Sequence, residues 1–106
     1  MVDAIADKKG EDIVLLDIRG VSPFADYFVI GSGTSERQLR ALIEGLLEAA
    51  KKHHQRRPLH VEGRPETGWV LIDYGDVIVH LFAPEKREYY DLEGLWRQGK
   101  IVVRIQ

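Results

Sequence analysis

WVLIDYGDVIVHLFAPEKREYYDLEGLW, residues 69–96, decides the fold. Two nearly all-apolar runs, residues 69–74 and 77–82, meet at Gly75-Asp76. A two-residue loop with Gly first accepts the positive φ of a type II′ turn, so the pair reads as a β-hairpin. Neither run alternates cleanly between apolar and polar. Both faces of these strands should therefore be largely covered, as in the middle of a mixed sheet. Pro84-Glu85 is a helix-start signal. A helix, or two short helical turns, should occupy residues 85–96, with Gly94 the weak point. Within it, Glu88 to Glu93 mixes acids with Tyr89 and Tyr90, a composition found at contact surfaces.

Working outward, residues 39–50 carry the strongest helical signal. Leu39, Leu42, Ile43, Leu46, Leu47 and Ala50 recur at the helical period and form one apolar face. Ser35 is the expected N-cap, and Gln38 three residues on completes a capping box, a feature worth about 1 kcal/mol. Lys51, Lys52, His53 and His54 place cations at the negative end of the helix dipole. Residues 2–9 suit a short first helix. Residues 13–18 and 26–30 read as strands joined through Gly20-Val21-Ser22-Pro23. Residues 60–63 suit a short strand, 64–68 a turn, and 100–105 an edge strand. The sum is an α/β or α+β domain: about five strands in a mixed sheet, with the long helix over one face.

With 106 residues, the chain is expected to form one domain. No apolar run approaches the roughly 18–20 residues of a membrane span. The first twelve residues lack the apolar stretch of a secretory signal and carry acids, unlike a transit peptide. No Cys is present, which excludes disulfides, thiolate metal sites and a Cys nucleophile. A cytoplasmic location is expected. Net charge is −2, so a general polyanion binder is not expected. The charge is uneven. Residues 1–57 hold nine acids and nine bases, residues 58–95 hold eight acids and three bases, and the last eleven residues add three bases. The second half should present a negative field, which either favours a basic protein partner over a phosphate backbone or is simply a solvated acidic surface.

Enzyme chemistry finds little to work with. Gly31-Ser32-Gly33-Thr34-Ser35 lies between a strand and a helix, where free N–H groups can cradle phosphate. A nucleotidyltransferase also needs a carboxylate pair to hold Mg²⁺. The usual Asp-x-Asp is missing, because Glu36 is followed by Arg37 and Gln38, and no Lys follows to make a P-loop. His53 and His54 are adjacent on a helix and diverge, His60 is alone, and no metal-ligand set emerges. His80 sits inside a strand, either as a buried neutral ring with a hydrogen-bond partner or at a partner surface. No Ser-His-Asp set can be assembled. Residues 51–57, KKHHQRR, could contact RNA phosphates, but no aromatic is interleaved for stacking on bases.

A second block, Ala25 to Ile30 followed by Gly31-Ser32-Gly33-Thr34-Ser35 and Arg37-Gln38, completes a pattern with residues 69–96. Together they resemble the signature of the ribosomal silencing factor S, or Iojap, family over residues 12–96, leaving 97–106 as a tail. The resemblance implies a small mixed sheet with a nucleotidyltransferase-like core and no enzymatic turnover, cofactor or metal. It implies binding to the large ribosomal subunit through the protein conventionally numbered fourteen, blocking subunit joining and so repressing translation. No membrane contact and no direct nucleic-acid site are implied. Within that reading Trp69 is the apolar anchor, and Asp73, Asp76 and Glu88 are the acids that meet Arg or Lys on the partner. His80, Tyr90 and Asp91 follow as further partner-binding candidates. An apolar docking surface is also compatible with a homodimer. Two other readings stay open. A Mg-dependent nucleotidyltransferase predicts nucleotide binding, and an RNA-binding adaptor predicts a steep salt dependence.

Overall fold

A computed structural model describes residues 2–105; Met1 and Gln106, the two ends of the expected domain, lie outside it. The hairpin forms as read: β4 (Trp69–Asp73) and β5 (Val77–Phe82) pair antiparallel, with Trp69 opposite Phe82 and Leu71 opposite His80. The turn closes through the Tyr74 N–H on the Val77 carbonyl at 2.9 Å. Gly75 takes φ +90 while Asp76 stays negative, the pattern of a II′ rather than a I′ turn.

The hairpin is the nucleus of a wider sheet. β5 runs parallel to β2 (Tyr27–Ser32), with His80 beside Ile30. β2 pairs antiparallel with β1 (Glu11–Asp17), which pairs antiparallel with β6 (Lys100–Ile105). On the other side β4 pairs antiparallel with β3 (His60–Arg64). The order is β3-β4-β5-β2-β1-β6, six strands among the described residues against the five or so expected. The tail expected to pair at an edge does so on β1.

The long helix, α2 (Glu36–His54), buries Leu39, Leu42, Leu46 and Ala50 against Val29, Val70, Ile72, Tyr74, Val79 and Leu81. A shorter helix, α1 (Val2–Asp7), adds Ile5 beside Ile13. Because successive strand side chains point to opposite faces, inward Val70 and Ile72 send Trp69, Leu71 and Asp73 to the other side. There Val14, Leu16, Phe28, Ile30 and Phe82 form a second core, packed by Trp69, Ile78, Leu92 and Trp96. It lies against α3 (Pro84–Tyr90) and α4 (Leu92–Leu95). These helices are short. Every β3 residue is exposed, and Trp69, Leu71 and Asp73 are only half-buried. The outer end of the sheet is thus left partly open on the face away from α2, less covered there than the hairpin's apolar strands suggest.

Two local expectations are corrected. Ser35 caps α2, its Oγ accepting the Gln38 N–H at 3.0 Å. Gln38 does not return the bond to Ser35. Its Oε1 accepts from the Thr34 N–H (2.7 Å) and hydroxyl (2.9 Å), and its Nε2 donates to the Lys9 carbonyl (2.6 Å). Half of the capping box has become a tie from α2 to the segment before β1. The final helical segment breaks at Asp91, not at Gly94. Asp91 adopts φ +46, ends α3 and caps α4 by accepting the Gly94 N–H at 3.2 Å. Gly94 is what permits this cap, since a Cβ there would strike the Asp91 carboxylate.

A candidate partner-docking face

Trp69 is the centre of the open face. Its indole stacks on Phe82 at 5.1 Å between centroids and lies 4.4 Å from the Tyr90 ring. Its Nε1–H donates to His80 Nδ1 at 3.2 Å. One edge of the indole is therefore fastened, while another borders a cleft of about 180 Å³ shared with Glu62, Gly63 and Leu71.

His80 is 4 % exposed and meets Phe28 edge-on at 4.9 Å. Since Nδ1 accepts the indole proton, the ring's own proton sits on Nε2. That nitrogen is buried with no protein partner among the described residues, which costs about 1–3 kcal/mol for a neutral donor. Burial alone pushes the imidazole pKa down to about 4, so the ring is neutral at physiological pH. The sequence left a buried neutral ring or a partner surface open; the structure places it beneath Trp69, inside the core.

The two tyrosines divide as their adjacency requires. Tyr89 is 78 % exposed, while Tyr90, at 39 %, lies against Trp69. Asp73 stands on the Trp69 side of β4, four residues along, which is roughly 13 Å at strand spacing. Its Oδ1 accepts the Gly75 N–H at 2.7 Å, bracing the turn. Asp76 lies beyond it at the turn and faces Arg56, with Nη2–Oδ1 at 2.6 Å and Nη1–Oδ2 at 3.3 Å. Arg56 also donates to the Tyr74 carbonyl at 2.6 Å. The Arg56 hydrogen bond holds the Asp76 carboxyl below the usual carboxylate range. Trp69, His80, Tyr90 and Asp73 are brought to one face. Asp76 is at the far end of the sheet from Trp69.

Glu88 and Asp91 border a second hollow of about 350 Å³ with Glu11, Asp12, Ser32 and Glu93. Inside it Arg87, 8 % exposed, is bonded on every side. Its Nη1 donates to the Asp12 carbonyl (2.6 Å) and Ser32 Oγ (2.8 Å). Its Nε and Nη2 hold Glu93 at 2.9 and 3.2 Å. The Ser32 hydroxyl, which a phosphate-cradling turn would leave free, is thus taken by this chain's own arginine. No cluster of three or more His, Asp or Glu suited to a metal occurs among the described residues. His53 and His54 are exposed at the end of α2, and His60 is exposed on β3. No helix among the described residues is long and apolar enough to cross a membrane.

Sequence reasoning missed three contributors. Leu71 shares the Trp69 face by strand alternation, yet its residue type alone does not mark it as part of a site. Glu62 borders the Trp69 cleft because β3 pairs Glu62 with Leu71, a register that only the assembled sheet supplies. Arg87 read as one charge among many, and nothing in its spacing marks it as buried.

Three comparisons bear on this arrangement. The family described as "Ribosomal silencing factor during starvation" matches residues 1–106. A protein named Ribosomal silencing factor RsfS, from Halalkalibacterium halodurans, is 44% identical over 104 residues, covering 95% of this chain and 86% of its own length. The mouse protein named Mitochondrial assembly of ribosomal large subunit protein 1 is 37% identical over 98 residues, covering 91% of this chain and 43% of its own. A crystal structure of a Chromobacterium violaceum protein superposes with a TM-score of 0.85 at 34% identity, covering 96% of this chain and 86% of the other.

Proposed function

The chain belongs to the family of ribosomal silencing factors, and from that premise we propose that it binds the large ribosomal subunit through the open face around Trp69. The partner there is the large-subunit protein conventionally numbered fourteen, and the consequence is that the small subunit cannot dock. The mechanism is occupancy, so translation falls without any bond being made or broken. A specific contact of roughly 1,000 Å² or more suffices.

One observation carries the placement: a half-buried Trp beside an uncovered strand, fastened on one edge and bordered by Glu62 on another. Large aromatic anchors of this kind dominate interface energetics. Leu71 extends the apolar centre. Asp73 shares the face, and Glu62 and Glu88 have no basic partner among the described residues. Uncompensated acids speed encounter with a basic protein and make it salt-sensitive. Asp91 is engaged as a cap and contributes by shaping α3–α4 rather than by its charge.

The chain is read as non-catalytic, because Ser32 is bonded to Arg87 and that arginine also pairs with Asp12 and Glu93 beside it. Its place of action is with the ribosome, in the cytoplasm. Self-association through exposed apolar residues such as Ile101 and Val102 would compete with docking.

Sedimentation tests the proposal. The protein should travel with free large subunits and be absent from assembled ribosomes. Trp69→Ala should abolish pull-down of the isolated ribosomal protein, and Glu88→Arg should weaken it. Wild-type-like binding by both variants would refute the placement.

A further inference from the structure

We propose that His80 is the positioning residue for docking: it holds the Trp69 indole in one orientation through the Nε1–H to Nδ1 hydrogen bond, without itself touching the partner. The inference rests on the docking reading above and deepens it.

The geometry gives His80 no route to a partner, since the ring lies under Trp69 and against Phe28. Packing alone does not call for a histidine here. The ring sits among Phe28, Phe82 and Trp69, where an aliphatic side chain would fill the space without the unpartnered Nε2–H. What histidine supplies that an aliphatic cannot is Nδ1, the sole acceptor of the indole proton among the described residues. Phe82 and Tyr90 restrict how far the indole plane can tilt. Only the hydrogen bond selects which edge faces inward, and therefore which edge meets the partner. A pre-set anchor escapes the ordering cost of association, a factor of about two to ten in affinity for one large side chain.

The test begins with the free protein. ¹⁵N NMR of the imidazole should show the Nε2–H tautomer, and the Trp69 indole N–H should be protected from exchange with solvent. His80→Leu removes the acceptor. The indole N–H should then shift and exchange faster, and affinity for isolated large subunits should fall about two- to tenfold. His80→Asn, whose Oδ1 falls near the place of Nδ1, should restore both. The Nδ1–H tautomer in the wild-type protein, or an unprotected indole N–H there, would overturn the proposal even if His80→Leu failed to fold. So would loss of affinity in His80→Leu with an unchanged indole signal. If the wild-type protein showed the tautomer and the protection yet ignored large subunits, the docking reading would fall and positioning for docking with it. The separate readouts identify which step failed.

Discussion

Acidification below neutral pH tests the burial of His80. Burial lowers its pKa from 6.5 to about 4. Between those values the unfolded chain takes up a proton that the folded chain refuses. The unfolded state then binds more protons, so stability falls as pH falls. The contribution is fully present above pH 6.5 and fully lost below about pH 4. At 1.36 kcal/mol per pH unit, the interval amounts to roughly 3 kcal/mol, a large share of what a domain of this size has. Asp17 and Asp76 act in a different window. They are held below their ordinary 3.8 by Arg19 and Arg56, so their contributions are lost only as pH falls below that range. Urea unfolding between pH 7 and pH 4 measures the effect, with His80→Asn as the reference because Asn keeps the acceptor and cannot titrate. The wild-type midpoint should drop steadily toward pH 4 while the variant's stays nearly level. Parallel curves would mean that the ring is hydrated or already protonated, and the neutral hydrogen-bond acceptor assigned to it would be wrong.

Other substitutions separate fold from docking. Arg87→Ala strips partners from Ser32, the Asp12 carbonyl and Glu93 at once, and urea unfolding should show a loss of about 3 kcal/mol, the usual scale for breaking a buried ion pair. Asp76→Ala releases only a pair with Arg56 that is substantially open to solvent; it should cost under about 1 kcal/mol by the same assay and leave pull-down of the ribosomal protein unchanged. Gly94→Ala collides with the Asp91 cap; near-ultraviolet circular dichroism should show disturbed aromatic packing as α4 and Trp96 shift against Phe28. Amide hydrogen exchange should be slow in β2 and β5 and fast in β3 and β6, since the first pair is covered on both faces and the second is exposed throughout.

What the chain disclosed in advance was whatever depends on neighbours in sequence. The Gly75 turn, the apolar face of α2 and the Ser35 cap follow from spacings of two to four residues. What it withheld depends on distant segments. Gln38 sits at a capping-box position, yet its amide goes to Lys9 because α1 delivers a carbonyl there. Asp76 reads as a free acid until the loop after α2 brings Arg56 against it. Arg87 is buried because Asp12 and Ser32 converge on it from two strands far back in the chain. Asp91 reads as a surface charge, but its backbone conformation makes it the break between α3 and α4. Of the proposed docking residues, Trp69 and Tyr90 were legible as aromatics at a hairpin's end. Their contact with each other needed the fold.

Arg87 also supports the proposed reading of docking without turnover. The strand-to-helix turn at Gly31-Ser32 would suit a phosphate only if its hydroxyl were free and a divalent cation could sit among nearby carboxylates. Here the guanidinium occupies both places at once, bonded to Ser32 Oγ and flanked by Glu93 and Asp12. This fixed internal cation pairs with two of the acids around Ser32. The same arginine ties α3 and α4 to β1 and β2, and those two helices carry Tyr90 to Trp69 and lead into Trp96 against Phe28. The residue that engages Ser32 is therefore also the one that shapes the proposed docking face. Loss of Arg87 should accordingly loosen the Trp69 surface rather than uncover catalysis.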